Sequence, residues 1–390
     1  SGFKKFINQI GGDHSQVDHQ SVENDIAQSV LLPGEHVHMA FKLGRDTTVF
    51  TTTRILVIDV HGMSGKRVEH RSLPYGAILT FAAETAGGKL DNDAELVIWS
   101  RCPWLNPLKI DFAKKEVDIY AVQVFLASKV LDPRAPAPVP QPGQGGAGDT
   151  SNLLNWLGND AVQVDPGSVE RNLRTIAPVL LPDEHVEMAF QLGRDIFTLT
   201  TKRLLDVNVK GMSGKRVEFT TIPYTSIGAF AVQSAGGRFD RDAELLVWNK
   251  VPVQQHPLQL DLRKGRADLF AIQSCLAAKV LGHAGGAAAP QAPPQSSAAG
   301  GGESLMACLG GDGIQVNPQQ LEEELRRTVP LLLPNERVEV ALKTGRDTTV
   351  FTTHRLLMID VKGLSGKKVE YFTLPYASVQ AFAVETAGTW

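Results

Sequence analysis

The stretch Gly44-Arg45-Asp46-Thr47-Thr48-Val49-Phe50-Thr51-Thr52 occurs again as Gly193-Arg194-Asp195-Ile196-Phe197-Thr198-Leu199-Thr200-Thr201. It occurs a third time as Gly345-Arg346-Asp347-Thr348-Thr349-Val350-Phe351-Thr352-Thr353. A period of roughly 150 residues marks a repeated domain rather than a solenoid unit. Outward from this stretch, Gly62-Met63-Ser64-Gly65-Lys66-Arg67 is matched by Gly211-Met212-Ser213-Gly214-Lys215-Arg216 and Gly363-Leu364-Ser365-Gly366-Lys367-Lys368. Leu73-Pro74-Tyr75, Ile222-Pro223-Tyr224 and Leu374-Pro375-Tyr376 follow at matching offsets. Length alone points to two or three domains; the repeats make it three.

Residues 132–150 and 283–303 are dominated by Pro, Ala, Gly, Gln and Ser, a composition that builds no core and reads as a tether. The organisation is therefore a first domain with a lead-in helix at 1–131, a linker at 132–150, a second domain at 151–282, a linker at 283–303 and a partial third domain at 304–390. The third copy reaches Glu385-Thr386-Ala387-Gly388 and Trp390 without counterparts of the last two strands and the closing helix. A barrel so cut would leave an open sheet edge and an uncovered core. The expectation is that the natural chain continues or that a partner completes the domain.

Within a copy, Ser21 to Leu32, Ser168 to Leu181 and Leu321 to Leu333 carry apolar residues at helical spacing, and the Leu-Pro that ends each run reads as the stop. The pattern then turns to short β-rich runs: 37–42, 47–52, 55–60, 68–73, 78–84, 95–100 and 108–112. Val117 to Leu131 places Ile119, Val122, Phe125, Leu126 and Val130 on one stripe, an amphipathic closing helix with Asp118 at its positive end. The fold class is thus mostly β with capping helices: about seven antiparallel strands and a C-terminal helix per copy. The helix's stripe would cover the open end of the barrel, at about 25 cal/mol for each Å² removed from water.

Hydrophobic residues make up 43% of the chain and charged residues 21%, ordinary globular usage, and the net charge of -3 carries none of the basic surplus of a nucleic-acid binder. Cys102, Cys275 and Cys308 occupy non-equivalent positions in the repeats, so they form neither a repeated disulfide framework nor a repeated zinc site. A reducing, intracellular setting follows as the expectation, with cytoplasm or organelle left open. No run approaches the length of a membrane span. The chain begins at Ser1 rather than Met, which leaves room for a removed targeting segment.

Arg45-Asp46, Phe50-Thr51, Thr53-Arg54, Asp59, Gly62, Gly65-Lys66, Val68-Glu69, Pro74-Tyr75, Glu84-Thr85-Ala86-Gly87 and Asp93-Ala94-Glu95-Leu96 together resemble the bacterial pleckstrin-homology (PH) domain family. The resemblance spans copies one and two apart from the linkers, and copy three as far as it runs. It implies three tandem PH-like barrels, edge-to-edge association into rings, and no enzymatic activity. Gln233-Ser234 departs from Glu84-Thr85 and Glu385-Thr386, so a role for that carboxylate is absent from copy two.

The Gly-x-x-Gly-Lys-Arg loop lacks the spacing, the Ser or Thr and the strand-to-helix setting of a phosphate-binding P-loop, and reads as a hairpin. Its cations Lys66, Arg67, Lys215, Arg216, Lys367 and Lys368 form a threefold basic feature suited to anions or partner surfaces. Arg45-Asp46, Arg194-Asp195 and Arg346-Asp347 read as ion pairs at a turn, worth under about 1 kcal/mol each. With Tyr75, Tyr224 and Tyr376 they are structural markers of the repeat. Asp91-x-Asp93-x-Glu95 and Asp240-x-Asp242-x-Glu244 lack the Gly and distant Glu of a calcium loop. No residue is assigned to catalysis, a cofactor or a metal. The reading is a non-catalytic tandem scaffold for protein–protein interaction, as a ring-like oligomer or a subunit of a large complex, with no nucleic acid or small-molecule substrate. The alternative is a peripheral membrane adaptor binding anionic lipid headgroups, with an enzyme a distant third.

Overall fold

The computed structural model describes residues 15–27, 30–43, 45–61, 67–85, 93–102, 107–113, 117–132, 163–210, 216–234, 242–251, 257–263, 267–282, 314–329, 331–362 and 368–379. The first copy runs β1 (Ser15–Val17), α1 (His19–Ile26), β2 (Val37–Leu43), β3 (Asp46–Thr51), β4 (Arg54–His61), β5 (Arg67–Pro74), a 3-10 turn (Tyr75–Ala77), β6 (Ile78–Glu84), β7 (Asp93–Ser100), β8 (Leu108–Ala113) and α2 (Ile119–Leu131). The second repeats it with β9 (Gln163–Val164), α3 (Pro166–Thr175), β10 (Val186–Leu192), β11 (Asp195–Thr200), β12 (Arg203–Lys210), β13 (Arg216–Pro223), a 3-10 turn (Tyr224–Ser226), β14 (Ile227–Gln233), β15 (Asp242–Asn249), β16 (Leu258–Arg263) and α4 (Leu269–Leu281). The third contributes β17 (Ile314–Val316), α5 (Pro318–Arg327), β18 (Val338–Thr344), β19 (Asp347–Thr352), β20 (Arg355–Lys362), β21 (Lys368–Pro375) and a 3-10 turn (Tyr376–Ser378).

All seven strands expected in the first copy form, because alternation puts every second side chain on the core face, as in β21, where each second residue is buried. Asp118 caps α2 directly, accepting from the backbone N–H of Tyr120 at 3.0 Å and of Ala121 at 3.1 Å. The entry helices are shorter than the apolar spacing indicated, ending at Ile26, Thr175 and Arg327. In the second and third copies Pro178 and Pro330 follow closely, and a ring without an N–H cannot continue the ladder. The Leu-Pro read as the stop lies beyond an irregular stretch. Unforeseen were the short strands ahead of these helices, which pair with β2 and β18.

The sheets do not stay within the repeats. One holds β1-β2-β3-β4-β5; a second runs β8-β7-β6-β13-β12-β11-β10-β9; a third runs β16-β15-β14-β21-β20-β19-β18-β17. Each eight-stranded sheet joins the second half of one copy to the first half of the next. The compact units follow this pairing: one gathers 1–160 with 164–223, the other 161–163 with 224–390.

In the first copy Phe41 packs edge-on against Phe50 and Phe112, with ring centroids 5.6 and 4.8 Å away. Phe125 from α2 sits 6.3 Å from both Phe50 and Tyr75, so the closing helix plugs the barrel, but it is not the one-sided helix expected, since Tyr120, Gln123, Ala127 and Ser128 off the stripe are buried as well. In the third copy the equivalent positions are open: Leu342, Phe351, Tyr376 and Val379 are 36–41% exposed, where Phe41, Phe50, Tyr75 and Ile78 are at most 5% exposed. Among the described residues the third copy contributes the strands of its first sheet, and these positions are uncovered there. None of the described helices is long and apolar enough to cross a membrane.

Candidate functional site

The features with the most chemistry are the places where one copy's sheet passes into the next. At the first junction β6 lies antiparallel to β13, with Phe81 opposite Thr221, Ala82 opposite Thr220, Ala83 opposite Phe219 and Glu84 opposite Glu218. At the second, β14 meets β21 in the same register, from Phe230 opposite Thr373 to Gln233 opposite Glu370. Each ladder ends in a two-way latch. Thr85 N–H donates to the Val217 carbonyl at 2.9 Å, and Val217 N–H donates back to Thr85 Oγ1 at 3.0 Å. Ser234 and Val369 repeat this at 2.8 and 2.9 Å.

The closing helix of the donating copy reaches over the acceptor strand. Gln123 Nε2 donates to Thr221 Oγ1 at 3.1 Å, and Gln273 Nε2 to Thr373 Oγ1 at 3.2 Å. Tyr120 stands edge-on to Phe219, and Phe270 to Tyr371, each pair at 5.7 Å between centroids. Thr221 and Thr373 are also hubs of a buried ion pair. Arg203 and Glu184 are fully buried, with Arg203 Nε and Nη2 donating to the two Glu184 oxygens at 2.8 and 3.0 Å, Nη1 to Thr221 at 2.7 Å and Nη2 to the Val179 carbonyl at 2.6 Å. Thr200 and the Leu181 N–H fill the remaining acceptor sites on Glu184. Arg355, Glu336, Thr373, Thr352 and Leu333 reproduce the cage.

Copy one builds the same cage with one wall missing. Arg54 pairs with Glu35 at 2.9 Å and donates to Ser72 at 2.8 Å, but its side chain is 18% exposed, since among the described residues no helix covers Ser72. Burial alone would raise the Glu35 carboxyl; hydrogen bonds from Arg54, Leu32 N–H, Thr51 and Thr53 outweigh it and hold the group at about 2. Strand β5 has only β4 as a neighbour among the described residues, and Arg67, Glu69, His70 and Ser72 along it are exposed.

The sequence-derived residues divide between these places. Lys66, Lys215 and Lys367, with the glycine loops, linker residues 133–150 and 283–303, Asp91, Asp240, Cys308 and Glu385 to Trp390, lie outside the described residues. Arg216 ion-pairs with Glu84, which Lys210 also holds at 2.8 Å, and Lys368 lies 3.8 Å from Glu244. Arg67 stands exposed on the open edge. The aspartates of the Arg-Asp turns accept from backbone, Asp46 from Val60 N–H at 2.8 Å, Asp195 from Val209 at 2.8 Å and Asp347 from Val361 at 2.9 Å, a tie between strands that an ion pair alone would not supply. Tyr75 and Tyr376 donate to the Thr51 and Thr352 carbonyls at 2.7 and 2.8 Å. Tyr224 opens the corresponding 3-10 turn of copy two and is buried. Sequence reasoning missed the roles of the Glu–Arg cage and of the helix glutamines; their signal was recurrence at one position in successive copies.

Asp206 on β12 is a buried exception. Asp206 stands where copy one has Val57, and it faces Thr220 across the ladder where Val57 faces Arg71. Burial, together with the Asp195 and Glu218 carboxylates, pushes its carboxyl up to about 7, against a lowering hydrogen bond from Asn208 at 2.9 Å. A raised carboxyl costs stability as pH climbs from its unfolded value near 4 to about 7, and the cost is then constant. Asp206→Asn is therefore expected to stabilise the chain by up to about 4 kcal/mol at pH 8 and by almost nothing at pH 4. Denaturant unfolding at both pH values checks this, and an equal effect at each would refute it.

The family model for the bacterial PH domain matches residues 5–130, 155–280 and 305–390. The uncharacterized protein YjqA of Bacillus subtilis (strain 168) is 41% identical over 123 residues, 32% of this chain and 96% of that protein. YozO of the same organism is 37% identical over 65 residues, 17% of this chain and 56% of that protein. A solved pleckstrin-homology protein of the duf1696 family from Shewanella loihica PV-4 is 34% identical, covers 31% of this chain and all of its own, and has a TM-score of 0.28. Another from Shewanella amazonensis SB2B is 35% identical over 32% of this chain and 98% of its own, with a TM-score of 0.25. With three successive matches spanning most of its length, the chain belongs to the bacterial PH domain family.

Proposed function

We propose that this chain is a non-catalytic scaffold that binds protein partners by adding a strand to a sheet edge. One observation carries the reading. The acceptor strands β13 and β21 are filled inside the chain, in one register, by the strand following the tyrosine turn of the preceding copy, whereas β5 has only β4 beside it among the described residues. An edge whose backbone groups are shaped for a known mate binds by main-chain hydrogen bonds, with side chains adding selectivity.

Val68 offers a direct test. Val217, its equivalent, uses both N–H and C=O toward the donor strand, so the same groups of Val68 face away from β4. Val68→Pro deletes that outward N–H while leaving the β4 ladder intact. Association of the full chain, measured by sedimentation over a wide concentration range, is expected to weaken at least tenfold, by about 1.4 kcal/mol or more. Unchanged association would remove strand addition at β5. The membrane-adaptor reading draws on cations that are partly engaged, Arg216 by Glu84 and Lys368 near Glu244. Binding to anionic vesicles that survives Val68→Pro would favour that reading instead.

A further inference from the structure

Resting on strand addition, we infer that the β5 edge selects its incoming strand by a carboxylate placed opposite Glu69, and that Glu385 in the segment Val379–Glu385 of a second copy of this chain supplies it. The first junction shows what such a carboxylate does. Glu84 lies directly opposite Glu218, a like-charge pairing that is unfavourable unless cations intervene. Lys210 bridges the two carboxylates at 2.8 and 2.6 Å, and Arg216 takes the other Glu84 oxygen. The Glu84 side chain is only 6% exposed, while Lys210 and Arg216 are 43% and 37% exposed, so the clamp sets two partly exposed cations over a buried carboxylate and favours this register.

The second junction shows the clamp's absence. Gln233 stands where Glu84 would and donates to Glu370 at 3.2 Å, Lys362 turns to Glu370 at 2.7 Å, and Lys368 looks to Glu244 on β15 at 3.8 Å. Its cations are balanced without any charge on the donor strand.

The β5 edge matches the first junction and not the second. His61 occupies the place of Lys210 and bonds Glu69 at 3.1 Å, as Lys210 bonds Glu218. Arg67 occupies the place of Arg216; it is exposed and has no partner among the described residues. Arg71 on the same strand is held by Asp59 and lies 3.7 Å from Glu69. One cation therefore stands at the position that grips a donor carboxylate. Three stretches of the chain have the donor pattern, and two, β6 and β14, already pair with β13 and β21. The third, Val379-Gln380-Ala381-Phe382-Ala383-Val384-Glu385, aligns Phe382 with Phe81 and Phe230 in the repeat, and Thr386 with Thr85. It also restores the carboxylate that Gln233 lacks.

A charge exchange in the full chain tests the assignment. Arg67→Glu and Glu385→Arg are each expected to weaken self-association by about tenfold or more, and the double exchange to bring it back near the wild-type value. Thermal unfolding unchanged in all three would show that the folds are intact. If the single changes leave association untouched, or the double exchange fails to restore it while Val68→Pro still weakens it, the carboxylate selection is wrong and strand addition stands. A wild-type chain that stays monomeric at every concentration would end the pairing between copies, and this inference with it.

Discussion

Arg203→Ala is expected to destabilise its unit by about 3–5 kcal/mol, because it strands the Glu184 carboxylate in an interior that water does not reach. Both side chains are fully buried, and Arg203 serves four acceptors at once. Its removal leaves Glu184 with only Thr200 and a backbone N–H, and leaves Thr221 without the Nη1 donor. Arg54→Ala removes the same chemistry where the guanidinium is 18% exposed and bonds an exposed Ser72, so water replaces part of what is lost. The cost there should be about half or less. Hydrogen exchange in denaturant, followed separately for amides of β4 and β12, measures both without assuming a single all-or-none transition. Equal costs would mean that the neighbouring copy's helix is not what seals the cage. The same variants report on assembly, since occupancy of the β5 edge would bury Ser72 and move Arg54→Ala toward the cost of Arg203→Ala.

Phe219→Ala should cost about 3–5 kcal/mol and act where two copies meet. Its ring is 1% exposed, edge-on to Tyr120 at 69°, and sits between the β6 ladder and α2. Truncation opens a cavity and removes an aromatic pair worth roughly 1 kcal/mol beyond its buried area. The loss should appear as faster exchange of the Thr85 and Val217 amides, which close the end of that ladder. Copy one carries an exposed His70 at this position, a residue suited to an edge that opens to water. Exchange confined to β12, with the latch amides still protected, would show that Phe219 stabilises its own sheet and not the junction.

Period-two alternation exposed the strands, and recurrence of Gly-Arg-Asp and Pro-Tyr exposed the number of copies. Alternation says which side chains share a face; it does not say which edge a strand meets. Strands β5 and β6 are joined by three residues of turn, Tyr75–Ala77, yet they lie in different sheets, and β6 finds its mate on β13. No local pattern carries that. The Glu84 carboxylate was legible only as something Gln233 lacks, since its work becomes visible once Lys210 and Arg216, from the next copy, are beside it. The entry helices were overcalled for a related reason: the apolar run continues past Thr175 and Arg327 into segments where Leu180, Leu181, Leu331 and Leu333 are buried without being helical. The bond that Asp46 accepts from Val60 N–H on the adjacent strand was likewise not legible from its sequence neighbours.

The border between compact units, at Pro223 and Tyr224, falls in the middle of the second repeat rather than in a linker. What was duplicated and what coheres are thus different lengths of chain, offset by half a copy. Excision of 151–282 along the repeat boundaries would remove the mate of β6 and the mate of β21 together. The three copies are consequently not interchangeable beads. Their order is written into the strand pairs, and a shuffled or shortened arrangement would have to rebuild each pairing before it could inherit the stability of any copy.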